Sequence, residues 1–179
     1  EYAIGYDTAL NTAIEAIDKL RDTASSHERC SGVEVMGRHA GYLALHTGVT
    51  AGAEVVLIPE VDFDFQKDIV HTLIEDRNAG KNHYIVVVAE GATSALDLAK
   101  RIEEATGIES RATTLGYLQR GGSPSWRDRF VASLIGLKAV DCLDARRFNR
   151  AICMQNGDIV DLDLKEALTM TKTIDAGYV

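Results

Sequence analysis

Apolar and polar positions alternate with two periods along this chain. Over 7–23, Leu10, Ala13, Ile14, Ile17 and Leu20 recur at spacings of three and four, which sets them on one face of a helix. Asp7 or Thr8 is placed to cap its start, and Glu15 and Asp18 share the wet side with Lys19 and Arg21. A polar loop, Ser25-Ser26-His27-Glu28-Arg29, is expected next. Gly32-Val-Glu-Val-Met36 predicts a short strand, stopped by Gly37-Arg38-His39-Ala40-Gly41, and 40–50 a helix low in charge and so buried on most sides. Residues 54–59 read as an interior strand, and 66–77 as an amphipathic helix through Ile69, Val70, Leu73 and Ile74, closed by Asn78-Ala79-Gly80. Tyr84-Ile-Val-Val-Val-Ala89 is the plainest buried strand, ending at Glu90-Gly91. A helix over 94–106 closes at Gly107. A period-two strand then opens at Arg111 and is expected to break at Arg120-Gly121-Gly122-Ser123-Pro124. Beyond it come a helix over 127–143, a hairpin of 151–154 with 158–160 across Gln155-Asn156-Gly157, a short helix near 164–168 and a polar tail.

Strand and helix alternate throughout, so the fold class is α/β with a mainly parallel sheet flanked by helices. At 179 residues the chain suits one domain, or one and a fragment, by the prior of roughly 150 residues per domain. Only a few residues precede the first helix and no strand feeds it, which reads as a fragment. With 46% hydrophobic and 26% charged residues the composition is that of a globular protein. No apolar run approaches the roughly 18 residues of a membrane span, and the first residues have no signal-peptide pattern. Cys30, Cys142 and Cys153 are far apart and odd in number, as reduced thiols of a cytoplasmic protein would be. A net charge of −8 argues against nucleic acid as a partner but not against a small phosphorylated ligand held by a few arginines.

The candidate chemistry lies in Arg111-Ala-Thr-Thr-Leu-Gly-Tyr-Leu-Gln-Arg-Gly-Gly-Ser-Pro124. Guanidinium forks at Arg111 and Arg120 match phosphate oxygens in pairs, and Gly121-Gly122 suits an anion-holding nest of backbone N–H groups. A surface turn with two solvated arginines accounts for the same residues. The strand–glycine–helix passage at Gly37 also fits a phosphate or sugar site, and Glu90 puts a carboxylate at the mouth of the sheet. His27, His39, His46, His71 and His83 lack metal-ligand spacing, Ser25-Ser26-His27 is a poor candidate for a triad, and no Gly-x-x-x-x-Gly-Lys-Ser phosphate loop occurs.

Five stretches fall in an order that resembles the bacterial 6-phosphofructokinases: Ile4-Gly-Tyr-Asp-Thr-Ala-Leu, Arg21-Asp-Thr-Ala-Ser-Ser-His-Glu-Arg29, Val33-Glu-Val-Met-Gly-Arg38, Ala89-Glu-Gly91, and Arg111 to Pro124 continued by Ser125-Trp-Arg-Asp-Arg-Phe-Val-Ala-Ser133. The resemblance implies the family's two α/β lobes and transfer of the γ-phosphoryl group of ATP to the 1-hydroxyl of fructose 6-phosphate, a glycolytic step. By it, 1–119 is the fructose 6-phosphate lobe, 120–167 a segment that returns to the nucleotide lobe and 168–179 a tail. ATP and its magnesium would be held mainly by the other lobe. The family's Gly-Gly-Asp-Gly-Ser and Thr-Ile-Asp-Asn-Asp stretches, for nucleotide, general base and metal, are absent and expected upstream of Glu1. The 179-residue chain alone is then expected to be inactive, because this chemistry depends on positioning both substrates.

The substrate-binding residues implied are Arg29, Met36, Gly37, Arg38, Glu90, Arg111, Tyr117, Leu118, Gln119 and Arg120, with Arg38 also catalytic through charge on the transferring phosphoryl group. Apart from the family, Arg29 reads as a solvated loop arginine, Glu90 as a helix cap and Met36 as core. Arg29 and Arg111 would reach the substrate of a neighbouring subunit, which implies a homo-oligomer, usually a tetramer. Tyr117 departs from the family's usual histidine. An effector site for ADP or phosphoenolpyruvate maps onto Arg21, Gly52, Ala53, Glu54, Lys81, Asn82 and His83, but Ala79 and Asn82 replace usually basic residues, which predicts a weak allosteric response. Two other readings stay open: a non-catalytic sugar-phosphate-binding regulatory module, and a pyrophosphate-dependent phosphofructokinase.

Overall fold

The computed structural model describes residues 2–24 and 28–174, and the chain forms two compact units. The larger, Ala9–Gly122 with Ile174–Val179, holds a four-stranded parallel sheet. Its elements are α1 (Tyr6–Ala24, whose first turn belongs to the smaller unit), β1 (Arg29–Val35), α2 (Tyr42–Ala51), β2 (Val55–Leu57), a π-helical segment Phe65–His71 running into α3 (Thr72–Asn78), β3 (His83–Ala89), α4 (Ala95–Thr106), β4 (Glu109–Thr114) and a 3-10 turn Gly116–Arg120. Strand order is β2-β3-β1-β4. β1 lies between its partners with Val35 beside Ala89 and Glu34 beside Thr114.

Helices cover both faces, which is why β2 and most of β3 read as unbroken apolar runs. Ile85, Val87 and Ala89 of β3 face α1 and α2 together with Val33 and Val35, whereas Tyr84, Val86 and Val88 face Ile69, Leu73, Leu98 and Ile102. Gly48 lets α2 approach β2, since a Cβ there would overlap Val56. Helix α4 is capped by Ser94, whose Oγ accepts from Asp97 N at 3.3 Å, and by Glu34, whose Oε2 accepts from Ala95 N at 3.0 Å. The alternative reading of Glu90 as its cap is therefore not realised. Cys30 is buried, and burial first, then the charge of Glu54, pushes its thiol up to about 12.

Three expected elements and the glycine nest need correction, and part of one expected loop lies outside the described residues. β1 starts at Arg29 rather than Gly32, because parallel pairing to His83 and Glu109 draws Arg29, Cys30 and Ser31 into the ladder. Ser25, Ser26 and His27 of the expected loop and triad candidate lie outside the described residues. The helix expected over 66–77 opens as a π-helical segment, with Asp64 accepting from Lys67 N at its start. The last parallel strand stops at Thr114, after which Gly116 turns left-handed (φ 47°) into a 3-10 turn; Arg120 ends that turn rather than a strand. Gly121 is extended and spends its N–H on Leu118 O, so the two glycines form no anion nest.

The smaller unit, Glu1–Thr8 with Ser123–Thr173, carries α5 (Trp126–Asp144), the hairpin β5 (Arg150–Gln155) and β6 (Asp158–Asp163), and α6 (Leu164–Thr169). Asn156 and Gly157, at φ 52° and 88°, make the two-residue turn that the sequence predicts. Asp128 is 1% exposed and accepts from Tyr2 Oη (2.6 Å), Gly5 N (2.8 Å), Thr8 N (2.9 Å) and Thr8 Oγ1. Asp161 gathers Arg147, Arg150 and Lys138 within 3.4 Å. Burial opposes its ionisation, yet Arg150, Arg147 and Lys138 together hold it below the usual carboxylate range. No helix among the described residues is long and apolar enough to cross a membrane.

Candidate functional site

The connection after β1 leads to α2 on one face of the sheet, and the connection after its neighbour β3 leads to α4 on the other. Adjacent strands whose chains depart to opposite faces open a crevice beyond their carboxyl ends, where ligands of open α/β sheets bind. At this switch point Met36-Gly37-Arg38 and Glu90-Gly91 meet directly. Glu90 Oε1 accepts from Arg38 N at 2.6 Å and from Gly37 N at 3.2 Å, leaving Oε2 without a protein donor in that pair of bonds. Arg38 is exposed and left-handed at φ 56°. On the β4 side, Met36 N donates to Gln119 Oε1 at 2.8 Å, and the Arg120 guanidinium lies 5.8 Å from the Tyr117 ring centroid, over its face. Tyr117 and Leu118 are exposed at 86% and 69%, as a ligand contact would be. A cavity of about 330 Å³ lies alongside, between the loop after β2 and Gly91-Ala92, with Phe63 and Asp62 in its wall.

Arg29 and Arg111 are elsewhere. They sit toward the amino end of β1 and β4, held by one carboxylate: Glu109 Oε2 accepts from Arg29 Nε at 2.9 Å and Oε1 from Arg111 Nη2 at 2.7 Å. Those bonds, Arg29's first, hold Glu109 below its ordinary range. From Arg29 to Val35 the strand rises about 20 Å at roughly 3.3 Å per residue. Arg111 lies within β4 and Arg120 ends the 3-10 turn that follows it. Glu109 was missed, although an acid two residues before Arg111 on the same strand face was a readable signal.

A sequence model described as phosphofructokinase matches residues 1–143. The chain belongs to the phosphofructokinase family. ATP-dependent 6-phosphofructokinases of Bacillus thuringiensis (strain Al Hakam) and Bacillus mycoides (strain KBAB4) are 52% and 53% identical to it over 175 residues, covering 98% of this chain and 54% of theirs. It thus spans about half the length of these curated relatives. Among solved structures, phosphofructokinase from Saccharomyces cerevisiae superposes with a TM-score of 0.88 at 36% identity, over 94% of this chain and 24% of that one. A pyrophosphate-dependent phosphofructokinase from Marinobacter aquaeolei gives 0.80 at 26%, over 99% and 49%.

The residues that the phosphofructokinase resemblance assigns to an effector sit where α1 and α2 end and β2 and β3 begin. Arg21 donates from Nη2 to Ala51 O, and Gly52 turns left-handed at φ 62° to end α2, followed by Ala53. Glu54, its side chain 4% exposed, accepts from Lys81 Nζ at 2.8 Å and from Ile85 N. Lys81 also meets Asp76 at 3.2 Å, and the bond to Glu54 raises its pKa. Asn82 Oδ1 lies 3.2 Å from His83 Nδ1. An anion arriving here would compete with two carboxylates for Lys81. Among the described residues, no three His, Cys, Asp or Glu side chains gather in one cluster.

Proposed function

We propose that this chain is the fructose 6-phosphate lobe, 1–119, of an ATP-dependent 6-phosphofructokinase, with 120–167 returning to a nucleotide lobe. The 1-hydroxyl oxygen of the sugar attacks the γ-phosphorus, the bond to the β-phosphate breaks, and fructose 1,6-bisphosphate and ADP leave. The hydroxyl proton goes to a base outside this chain. Arg38 offsets charge on the phosphoryl group in flight, where electrostatic stabilisation does most of the work. Glu90 Oε2 accepts a sugar hydroxyl while Oε1 stays on the backbone, and Met36 and Gly37 lie against the ring. The 6-phosphate carries close to two charges. Arg120 and Tyr117 meet it from the same chain, and Arg29 and Arg111 from a neighbouring copy. Their place along the strands, Arg29 about 20 Å and Arg111, level with Ser31, about 13 Å before the end of β1 at roughly 3.3 Å per residue, supports that division and with it a homo-oligomer, a tetramer in the family.

The observation that carries this reading is the meeting of the Arg38 turn and the Glu90 carboxylate at the switch point between β1 and β3. The exposed stripe Trp126, Phe130, Leu137 and Val140 on one side of α5 supports a segment that packs on further protein. A cytoplasmic setting follows from glycolytic chemistry. The names of relatives at 52–53% identity favour ATP over pyrophosphate, the donor for which the 26% identical Marinobacter enzyme is named. Assaying the intact protein with fructose 6-phosphate and each donor tests the reading. Turnover with ATP is expected; turnover with pyrophosphate alone overturns the donor, and binding without turnover favours a regulatory module.

A further inference from the structure

Three successive backbone N–H groups leave the end of β1, at Met36, Gly37 and Arg38, and each is taken by a side chain from another strand's carboxyl end. Gln119, which follows β4, accepts the first; Glu90, which follows β3, accepts the other two. Gln119 is 2% exposed and its other end is spent as well, Nε2 donating to Ala9 O at 3.3 Å. This amide is turned inward, bonded at both ends to backbone. Gly91 completes the enclosure: a Cβ there would overlap the Arg38 carbonyl oxygen and crowd His39 Cα at 3.4 Å. Only a glycine lets the chain after β3 lie directly on the Arg38 turn. Arg38 itself holds a left-handed backbone that side-chain-bearing residues avoid unless their surroundings impose it.

We infer that Gly91 and Gln119 are positioning residues for Arg38. With the Glu90 carboxylate they form a mould, built from three adjacent strand ends, that sets the direction in which the Arg38 guanidinium leaves the backbone. This rests on the reading of Arg38 as the group that meets the phosphoryl in flight. One consequence is coupling: Glu90 holds the Arg38 N–H on Oε1 and is open to a sugar hydroxyl on Oε2, so a single carboxylate joins sugar recognition to the placement of Arg38. A second is that Gln119, although it lies in the Gln-Arg-Gly-Gly-Ser-Pro stretch, acts through the backbone of Met36 rather than on the sugar.

The test is a kinetic double-mutant cycle in the intact protein with fructose 6-phosphate and ATP. Gly91→Ala is expected to lower kcat about tenfold or more while the KM for fructose 6-phosphate moves less than about threefold, the pattern of an interaction lost in the transition state. In an Arg38→Ala background the same change is expected to cost less than about twofold, because its effect runs through Arg38. Gln119→Leu, which removes the acceptor for Met36 N–H, enters the same cycle and decides the matter should Gly91→Ala not fold. Equal losses with and without Arg38, or kcat within twofold of wild type for the variants, overturn the inference and leave the proposed function standing. Failure of the wild-type protein to turn over the sugar phosphate with either donor removes both.

Discussion

Asp128 offers the sharpest test of how the smaller unit is held. Its two oxygens accept from Tyr2, Gly5 and Thr8, and Ser125 Oγ lies 3.4 Å from Oδ2, with the residue 1% exposed. Burial alone would raise its pKa. The bonds from Thr8, Tyr2 and Gly5 outweigh burial and bring it from 3.8 down to about 2. At about 1.4 kcal/mol per tenfold, that difference is worth about 2 kcal/mol of stability. Replacement by Asn keeps one acceptor oxygen and turns an NH2 toward the donors at Thr8. At least one buried N–H then loses its partner, at about 1–3 kcal/mol. Asp128→Asn should therefore destabilise the chain by about 3 kcal/mol at pH 7, or about 6–12 °C in Tm. Because the folded value lies below the unfolded one, the charge-linked part is present above about pH 4 and is lost as pH falls toward 2. Urea unfolding at pH 7 and pH 2.5 should show the gap between wild type and Asp128→Asn narrowing by about 1–2 kcal/mol. A gap below about 0.5 kcal/mol at pH 7, or one indifferent to pH, would refute the reasoning.

Four further outcomes are expected. Glu109→Gln should raise the KM for fructose 6-phosphate about tenfold with kcat nearly unchanged, since it loosens Arg29 and Arg111 without touching the crevice; steady-state kinetics of the intact protein reads this directly. Tyr117→His should add a rise in sugar-phosphate affinity between pH 7 and 6 that the wild type lacks, because imidazole can become cationic there and a phenol cannot; identical profiles would contradict it. Gly48→Ala should destabilise by about 1–3 kcal/mol in a urea melt, overpacking against Val56 outweighing the ~1 kcal/mol that alanine contributes to a helix. Phosphoenolpyruvate should inhibit the intact protein weakly, since Lys81 is already shared by Glu54 and Asp76 and two usual cations are Ala79 and Asn82; strong inhibition would count against the effector assignment.

The parallel α/β class and most elements were legible because their determinants are local. Period-four stripes, capping by Ser94 and Gly107, and the Asn156-Gly157 turn each act within a few residues. The failures fell where a distant partner decides. Arg29 looked like a loop residue until β3 and β4 paired with it, and the strand at Arg111 was drawn too long because alternation does not reveal where a neighbour's ladder ends.

By itself the amino-acid sequence determined the family and the fold class, and its motifs named Arg38, Glu90, Arg111 and Arg120 as candidate binding groups. Tertiary structure alone decided which of them meet. It put Glu90 on the backbone of Gly37 and Arg38, buried Gln119 behind Met36, and tied Arg29, at the amino end of β1, and Arg111, in β4, to the one Glu109 carboxylate. The physical reason is that hydrogen bonds and ion pairs reach only a few ångströms. Strand order and register bring residues 52–83 positions apart within that range, and a few residues of extended chain are enough to carry sequence neighbours out of it.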